Sequence, residues 1–253
     1  KVAFSQDIRA TLNCMEALGA KWEEVSPGRL RVSGISTDAW QGDLPHMDCG
    51  ESGSTLRFLI PIALAVAGGG VFTGRGRLMQ RPQKPYFDLF DKKGIAYEQR
   101  EDSLIVKGKL CPGEYRLPGN VSSQFVSGLM FALPLLQEAS TLTVQPPVER
   151  AGYIRMTVEA ITASGVVMEE QAPYKWHIPG GQAYHAKDGR LAGDYSQAAV
   201  LLCAAALGHD VTVTNLAADT TQGDRAVLAH LKALGACVTE NDGCVQVRAD
   251  KLA

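Results

Sequence analysis

The sequence predicts an α/β fold made of repeated units, with helices on the inside and sheets on the outside. Three observations predict it: two recurring sets of glycines, two alternating kinds of helix, and a strand–turn–strand signature closing each repeat. Gly50, Gly119 and Gly193 each open a small-residue turn that feeds a long apolar helix. Gly94, Gly165 and Gly235, with an earlier match at Gly19, each stop a shorter polar helix. Both sets recur roughly every seventy residues, longer than solenoid repeats, so each repeat is an αβ module and not one layer of a thin array. Equivalent loops then fall at equivalent places, and unequal chemistry among them marks a site.

The polar helix is clearest at Ser5 to Leu18. Ser5 can cap it, Ile8, Leu12, Met15 and Leu18 recur at helical spacing, and Gly19 stops it as a left-handed C-cap would. A hairpin follows: Lys21 to Val25, the turn Ser26-Pro27-Gly28, and Leu30 to Ser33. The pattern returns three times. Tyr86 to Lys93 precedes strands 95–99 and 104–107, Tyr153 to Ser164 precedes strands 166–170 and 174–178, and Asp224 to Leu234 precedes strands 236–240 and 244–248. Asn241-Asp242-Gly243 is a strong hairpin turn. The other helices, Ser54 to Ala67, Ser122 to Leu136 and Tyr195 to Leu207, are apolar around most of their girth, which predicts burial on most sides. Strands at 70–73, 141–144 and 211–214 follow them. Three full units (about 49–110, 119–181 and 192–251) and half of an earlier one (1–34) result.

With 253 residues, 45% hydrophobic, 21% charged and a formal charge of −2, the chain reads as ordinary, soluble and globular. That balance argues against a nucleic-acid or membrane-surface binder, which would carry a basic excess. The six cysteines form no CxxC pair and the five histidines show no ligand spacing, so the expectation is reduced thiols and no metal. No signal peptide is visible and no apolar run reaches about 18 residues, so a cytoplasmic protein is expected. The chain starts at Lys1, already inside a helical pattern, and reads as cut from a longer polypeptide.

Candidate site residues lie at the glycine-led helix starts. Gly50-Glu51-Ser52-Gly53-Ser54-Thr55-Leu56-Arg57 offers free backbone N–H groups and positive helix-end potential to an anion. Gly53 permits close approach, and Arg57 lies one turn inside. A glycine-rich N-cap with a solvated arginine is the competing reading. Asn120-Val121-Ser122-Ser123-Gln124 occupies the same place in the next unit, and capping alone accounts for one serine better than for Ser123 and Gln124. Arg75, Arg77, Arg81 and Lys84 crowd one loop whose counterparts hold fewer cations: Arg150 and Arg155 in one, Arg225 in the other. Such a run can be a solvated face, but the module does not need four cations there, and arginine's planar fork suits carboxylate and phosphate. Gly74-Arg75-Gly76 lacks the third glycine of a dinucleotide fingerprint. Asp194 reads as an N-cap or a ligand contact, and Tyr153 as a helix-start packing residue.

Taken in order, Gly50 to Arg57, Arg77-Leu78-Met79-Gln80-Arg81-Pro82, Asn120 to Phe125, Gly152-Tyr153-Ile154, Gly193-Asp194 and Gln222-Gly223-Asp224 resemble the 5-enolpyruvylshikimate-3-phosphate synthase (3-phosphoshikimate 1-carboxyvinyltransferase) family, truncated at both ends. The resemblance implies an enolpyruvyl transferase-like inside-out α/β barrel of repeated βαβαββ units, in two similar domains with a cleft between them. Residues 1–190 would be most of one domain (half a unit plus two full units), and 191–253 the first unit of the other. It implies transfer of the enolpyruvyl group of phosphoenolpyruvate to the 5-hydroxyl of shikimate 3-phosphate, with release of phosphate, through a tetrahedral adduct and without a cofactor. By matching position, Gly53, Arg81, Gln124 and Arg57 would bind phosphoenolpyruvate. Ser122, Ser123, Gln124, Tyr153 and Arg150 would bind shikimate 3-phosphate. The two small molecules are the expected partners, with no nucleic acid or membrane, and the full-length protein is expected to be a monomer.

Two positions depart from the family pattern. Arg150 stands where some members carry a phosphate-binding serine, and Glu51 where other branches carry asparagine. The family's N-terminal Lys-Ser motif lies upstream of Lys1 and its proton-transfer acids downstream of Ala253, so no catalytic residue is assigned and little turnover is expected of this chain alone. UDP-N-acetylglucosamine enolpyruvyl transferase shares the architecture, but no reactive-cysteine loop like that family's is visible. A non-catalytic anion-binding or scaffold module is the alternative of a different class.

Overall fold

The computed structural model describes residues 2–35, 40 and 42–248. These fall into two compact units, Lys1–Asp188 and Gly189–Ala253. The first unit opens with α1 (Gln6–Ala17), which Ser5 caps by accepting the Ile8 N–H at 3.3 Å. The hairpin of β1 (Lys21–Ser26) and β2 (Arg29–Ser33) follows. Then come β3 (His46–Asp48), α2 (Gly53–Val66), β4 (Gly69–Thr73), α3 (Lys84–Lys93), β5 (Ala96–Gln99) and β6 (Ser103–Lys107). The next repeat runs β7 (Gly113–Pro118), α4 (Ser123–Ala132), β8 (Ser140–Gln145), α5 (Ala151–Ala163), β9 (Glu169–Ala172) and β10 (Lys175–Ile178).

Both repeats build the same four-stranded sheet, ordered β3-β4-β6-β5 and β7-β8-β10-β9. In each, the first two strands are parallel and joined by the apolar helix, while the closing hairpin pairs antiparallel. A parallel pair requires such a crossover, and the helix that makes it is α2 in one repeat and α4 in the other. The two crossover helices pack against each other. Leu56, Leu59, Ile60 and Leu64 of α2, with Phe125, Leu129 and Met130 of α4, lie in one buried core.

The second unit contains α6 (Tyr195–Ala205), β11 (Asp210–Thr214), α7 (Val227–Ala233), β12 (Cys237–Asn241) and β13 (Cys244–Arg248), with sheet order β11-β13-β12. A core of its own forms around Tyr195, Leu202, Leu228, Leu231 and Val247. The fold is thus mixed α/β, with the crossover helices α2 and α4 as the inner layer of the first unit's two repeats.

The four helix-stopping glycines all require a left-handed backbone: Gly19, Gly94, Gly165 and Gly235 have φ of +97°, +69°, +84° and +92°. Asp242 and Gly243, at φ +42° and +75°, form the hairpin turn that the Asn-Asp-Gly signal predicts.

Three details differ from the sequence reading. Strands β3 and β7 precede α2 and α4, so the two repeats of the first unit each begin with a strand and run βαβαββ. β3 is only three residues long and buries only Met47, too little for an alternation signal. The apolar run 122–136 is α4 followed by a 3-10 turn, Leu133–Leu135, because Pro134 has no N–H for the ladder. Helix α6 is not buried on most sides: Val200 and Leu201 are 71% and 54% exposed, since within this unit one sheet covers one flank of the helix.

Candidate anion-binding site

The start of α2 is organised by hydroxyls. Ser52 caps the helix, accepting the Thr55 N–H at 3.3 Å and the Thr55 hydroxyl at 2.8 Å. Thr55 Oγ1 continues to Thr11 of α1 at 2.7 Å, so this buried polar chain is satisfied internally. Capping therefore accounts for Ser52 and Thr55 and leaves Gly53 and Arg57 to be explained.

Gly53 faces a guanidinium. A Cβ on it would lie 2.7 Å from Arg81 Nη1 and 3.7 Å from Gln124 Oε1. Arg57, one turn into α2, donates through Nη1 to Gln124 Oε1 at 2.8 Å and through Nη2 to the Pro82 carbonyl at 3.4 Å. Its guanidinium carbon also sits 4.6 Å from the Phe125 ring centroid, a cation–π contact. Burial pushes the Arg57 guanidinium below the usual arginine value; the Tyr86 phenol opposes this and the like charge of Arg81 adds to it. Arginine stays cationic under such shifts, so two positive groups face one place. Among the described residues no carboxylate forms an ion pair with either.

The rest of the cation run behaves differently. Arg75 pairs with Asp48 at 3.1 Å and Lys84 with Asp88 at 2.6 Å, both on exposed surface, where such pairs contribute little. Arg81 is the member of the run that lies against Gly53.

The start of α4 supplies the adjoining hollow. Ser122 caps the helix by accepting the Gln124 N–H at 3.4 Å, and Ser123 is buried. A cavity of about 510 Å³ is lined by Ser54, Ser122, Ser123, Gln124, Arg150 and Tyr153, together with the apolar Phe58, Phe131 and Met156. In its lining Ser127 and Thr157 join hydroxyls at 2.7 Å, and Thr157 donates to the Tyr153 carbonyl at 2.9 Å, fixing α5 against α4. Arg150 adopts φ +57° as it turns the chain into α5. That conformation is uncommon for arginine, and backbone of this kind clusters at ligand sites.

Gln124 thus borders both groups: Arg57, Arg81 and Gly53 on one side, Ser122, Ser123, Arg150 and Tyr153 on the other. Sequence reasoning gave no role to Tyr86, Gln83 or the Pro82 carbonyl, each of which is bonded to one of the two arginines. Gln83 Nε2 donates to the Arg81 carbonyl at 3.2 Å, and Tyr86 reaches the carbonyls of Arg57 and Phe125. Asp194, by contrast, is an N-cap that accepts the Ser196 N–H at 2.8 Å. Among the described residues no cluster of three or more His, Cys, Asp or Glu could hold a metal ion, and no helix is long and apolar enough to cross a membrane.

Comparison with known proteins matches this architecture. Two solved EPSP synthase structures from Acinetobacter baumannii cover 97% of the chain with TM-scores of 0.73 and 0.72 at 21% identity, which shows the α/β enolpyruvyl transferase fold. The family model for EPSP synthase (3-phosphoshikimate 1-carboxyvinyltransferase) matches residues 1–252, and the chain belongs to that family. Among curated relatives named 3-phosphoshikimate 1-carboxyvinyltransferase, those of Clostridium novyi (strain NT) and Clostridioides difficile (strain 630) are 37% and 41% identical. The matches cover 99% and 92% of this chain, which spans 59% and 56% of those relatives' length.

Proposed function

We propose that this chain carries the anion-binding wall of an enzyme that transfers the enolpyruvyl group of phosphoenolpyruvate to the 5-hydroxyl of shikimate 3-phosphate. Arg81 and Arg57 would hold the negative groups of phosphoenolpyruvate against Gly53. Ser122, Ser123 and Arg150 would hold the 3-phosphate, with Tyr153 beside the ring. Gln124 would sit between the two substrates. Cations and N–H donors gathered in one hollow stabilise charge that shifts as the new C–O bond forms and phosphate departs. In this reading residues 1–190 form most of one domain and 191–253 begin a second. The whole protein is a cytoplasmic monomer that needs no cofactor.

One observation carries the proposal: the Arg57–Gln124 bond joins the starts of two different repeats, so the arginine pair and the serine pair share an edge. The names of the curated relatives support the same reaction. Among the described residues, those lining the hollow include no carboxylate, imidazole or lysine, the side chains that most often move protons, and Tyr153 is taken up beside the ring. The 253-residue chain is therefore expected to bind substrates with negligible turnover. Calorimetry should detect shikimate 3-phosphate and phosphoenolpyruvate and give no heat with UDP-N-acetylglucosamine. Heat from the nucleotide sugar alone would favour the related transferase, and heat from none of the three would favour a scaffold module.

Gly53→Ala tests the arginine pocket. The added methyl meets Arg81 Nη1 at 2.7 Å, and because that atom ends a flexible side chain, the arginine moves and the helix stays. Phosphoenolpyruvate affinity should fall about tenfold, the scale of one weakened charged hydrogen bond. Bulkier anionic analogues should lose more. Equal losses for substrate and analogue in competition calorimetry would refute this account.

A further inference from the structure

Helix α2 contains Pro61 in its interior. Proline has no N–H, so the carbonyl four residues earlier, that of Arg57, loses its partner in the helix. Arg57 is also the residue whose side chain reaches across to Gln124. The freed carbonyl is not left bare: Tyr86 Oη donates to it at 2.7 Å. The same hydroxyl lies 3.1 Å from the carbonyl of Phe125, on the first turn of α4. Tyr86 is fully buried, and its ring meets Phe125 edge-on with centroids 4.9 Å apart. Gly128 makes room, since a Cβ there would lie 2.3 Å from the Tyr86 hydroxyl and 2.4 Å from the Arg57 carbonyl.

We propose that Tyr86 is a positioning residue for the anion site: its phenol replaces the helix bond removed by Pro61 and ties that point of α2 to α4, setting Arg57 opposite Gln124. The inference rests on reading Arg57 and Gln124 as parts of that site. Tyr86 touches no substrate in this scheme and acts only through the two backbones it joins. Burial holds its hydroxyl well above the usual tyrosine value, with the charge of Arg57 opposing, so the group remains a donor across the working pH range. The position is also well placed to act on both arginines. Gln83 and Pro82, immediately before α3, contact Arg81 and Arg57, and Tyr86 follows within the first turn of that helix.

The test compares four forms of the full chain: unaltered, Tyr86→Phe, Pro61→Ala, and the double variant. Phosphoenolpyruvate affinity is measured by calorimetry, stability by thermal melting, and the Arg57–Gln124 bond by NMR of the Arg57 guanidinium protons. Tyr86→Phe keeps the ring and its edge contact but strands a buried carbonyl, so it should melt earlier and bind about five- to tenfold more weakly, with Arg57 protons exchanging faster. Pro61→Ala returns an N–H to the helix, so the double variant should regain most of the lost stability. It should not regain affinity or slow Arg57 exchange, because the tie to Phe125 is still missing. If affinity and Arg57 exchange recover together with stability, Tyr86 is a packing residue and the proposal fails. If Tyr86→Phe fails to fold while the double variant folds, the double variant alone decides by the same two readouts. If neither folds, Tyr86 holds up the core as a whole and the proposal is overturned. If the unaltered chain binds no phosphoenolpyruvate, the functional reading fails, and Arg57 exchange still decides whether Tyr86 positions that side chain.

Discussion

Arg81→Ala is expected to weaken phosphoenolpyruvate binding by about tenfold or more. Its guanidinium is the group nearest Gly53, and among the described residues it has no carboxylate partner to be released when it is cut away. Arg81 is itself exposed, so its removal is expected to cost what one hydrogen bond to a charged group is worth, roughly 1.5–3 kcal/mol, or about ten- to 150-fold in affinity. Arg57 remains, but it is already committed to Gln124 and the Pro82 carbonyl, so it cannot simply take over. The control is Arg75→Ala. Arg75 belongs to the same cation run but forms an exposed pair with Asp48, and its loss should change affinity less than about twofold. Calorimetry with phosphoenolpyruvate and with inorganic phosphate measures both. Equal effects of the two substitutions, or an Arg81→Ala loss below about threefold, would show that the loop acts as a diffuse positive surface.

Gly128→Ala should cause a large loss of stability in the first unit. A methyl group there meets the Tyr86 hydroxyl at 2.3 Å and the Arg57 carbonyl at 2.4 Å. Both neighbours are held in place, one by full burial and the other by its helix, so α2 and α4 must separate. Overpacking of this kind costs about 1–3 kcal/mol, and the bond from Tyr86 would be disturbed as well. A melting temperature lower by roughly 5–10 °C follows for a unit of this size. The three tryptophans, Trp22, Trp40 and Trp176, all precede the second unit, so their fluorescence follows the melting of the first unit alone. A shift within 2 °C of the unaltered protein would mean that the helices tolerate a wider crossing than their packing implies.

Much of this fold is written locally. Left-handed glycines, a two-residue hairpin turn and capping hydroxyls act over a few residues, so Gly94, Asp242-Gly243 and Ser52 announce their roles in one dimension. The hollow beside α4 was legible for a related reason: Ser122, Ser123 and Gln124 are consecutive, and a cap needs only one of them. The strands β3 and β7 were less visible. Parallel pairing draws its partners from beyond a helix, and β3 buries only Met47. Tyr86 was hidden more deeply. In the sequence it begins a polar helix, and nothing nearby suggests that its hydroxyl serves two carbonyls in other elements, 29 and 39 residues away. The gap that it fills is nevertheless readable in hindsight, because a proline inside a buried helix always leaves one carbonyl seeking a donor. The apolar flank of α6 reflects the opposite limit: composition specifies that a helix prefers cover but not how much cover its own unit supplies.

The bond between Arg57 and Gln124 spans 67 residues of chain. A ribosome adding about 5–20 residues per second needs roughly 3–13 s to make that span. For most of that interval the first crossover helix lacks its mate, so its apolar stripe stays uncovered, and its proline-freed carbonyl waits for Tyr86, 29 residues after Arg57. Slow codons between residues 67 and 122 would lengthen the time for which that stripe stays uncovered.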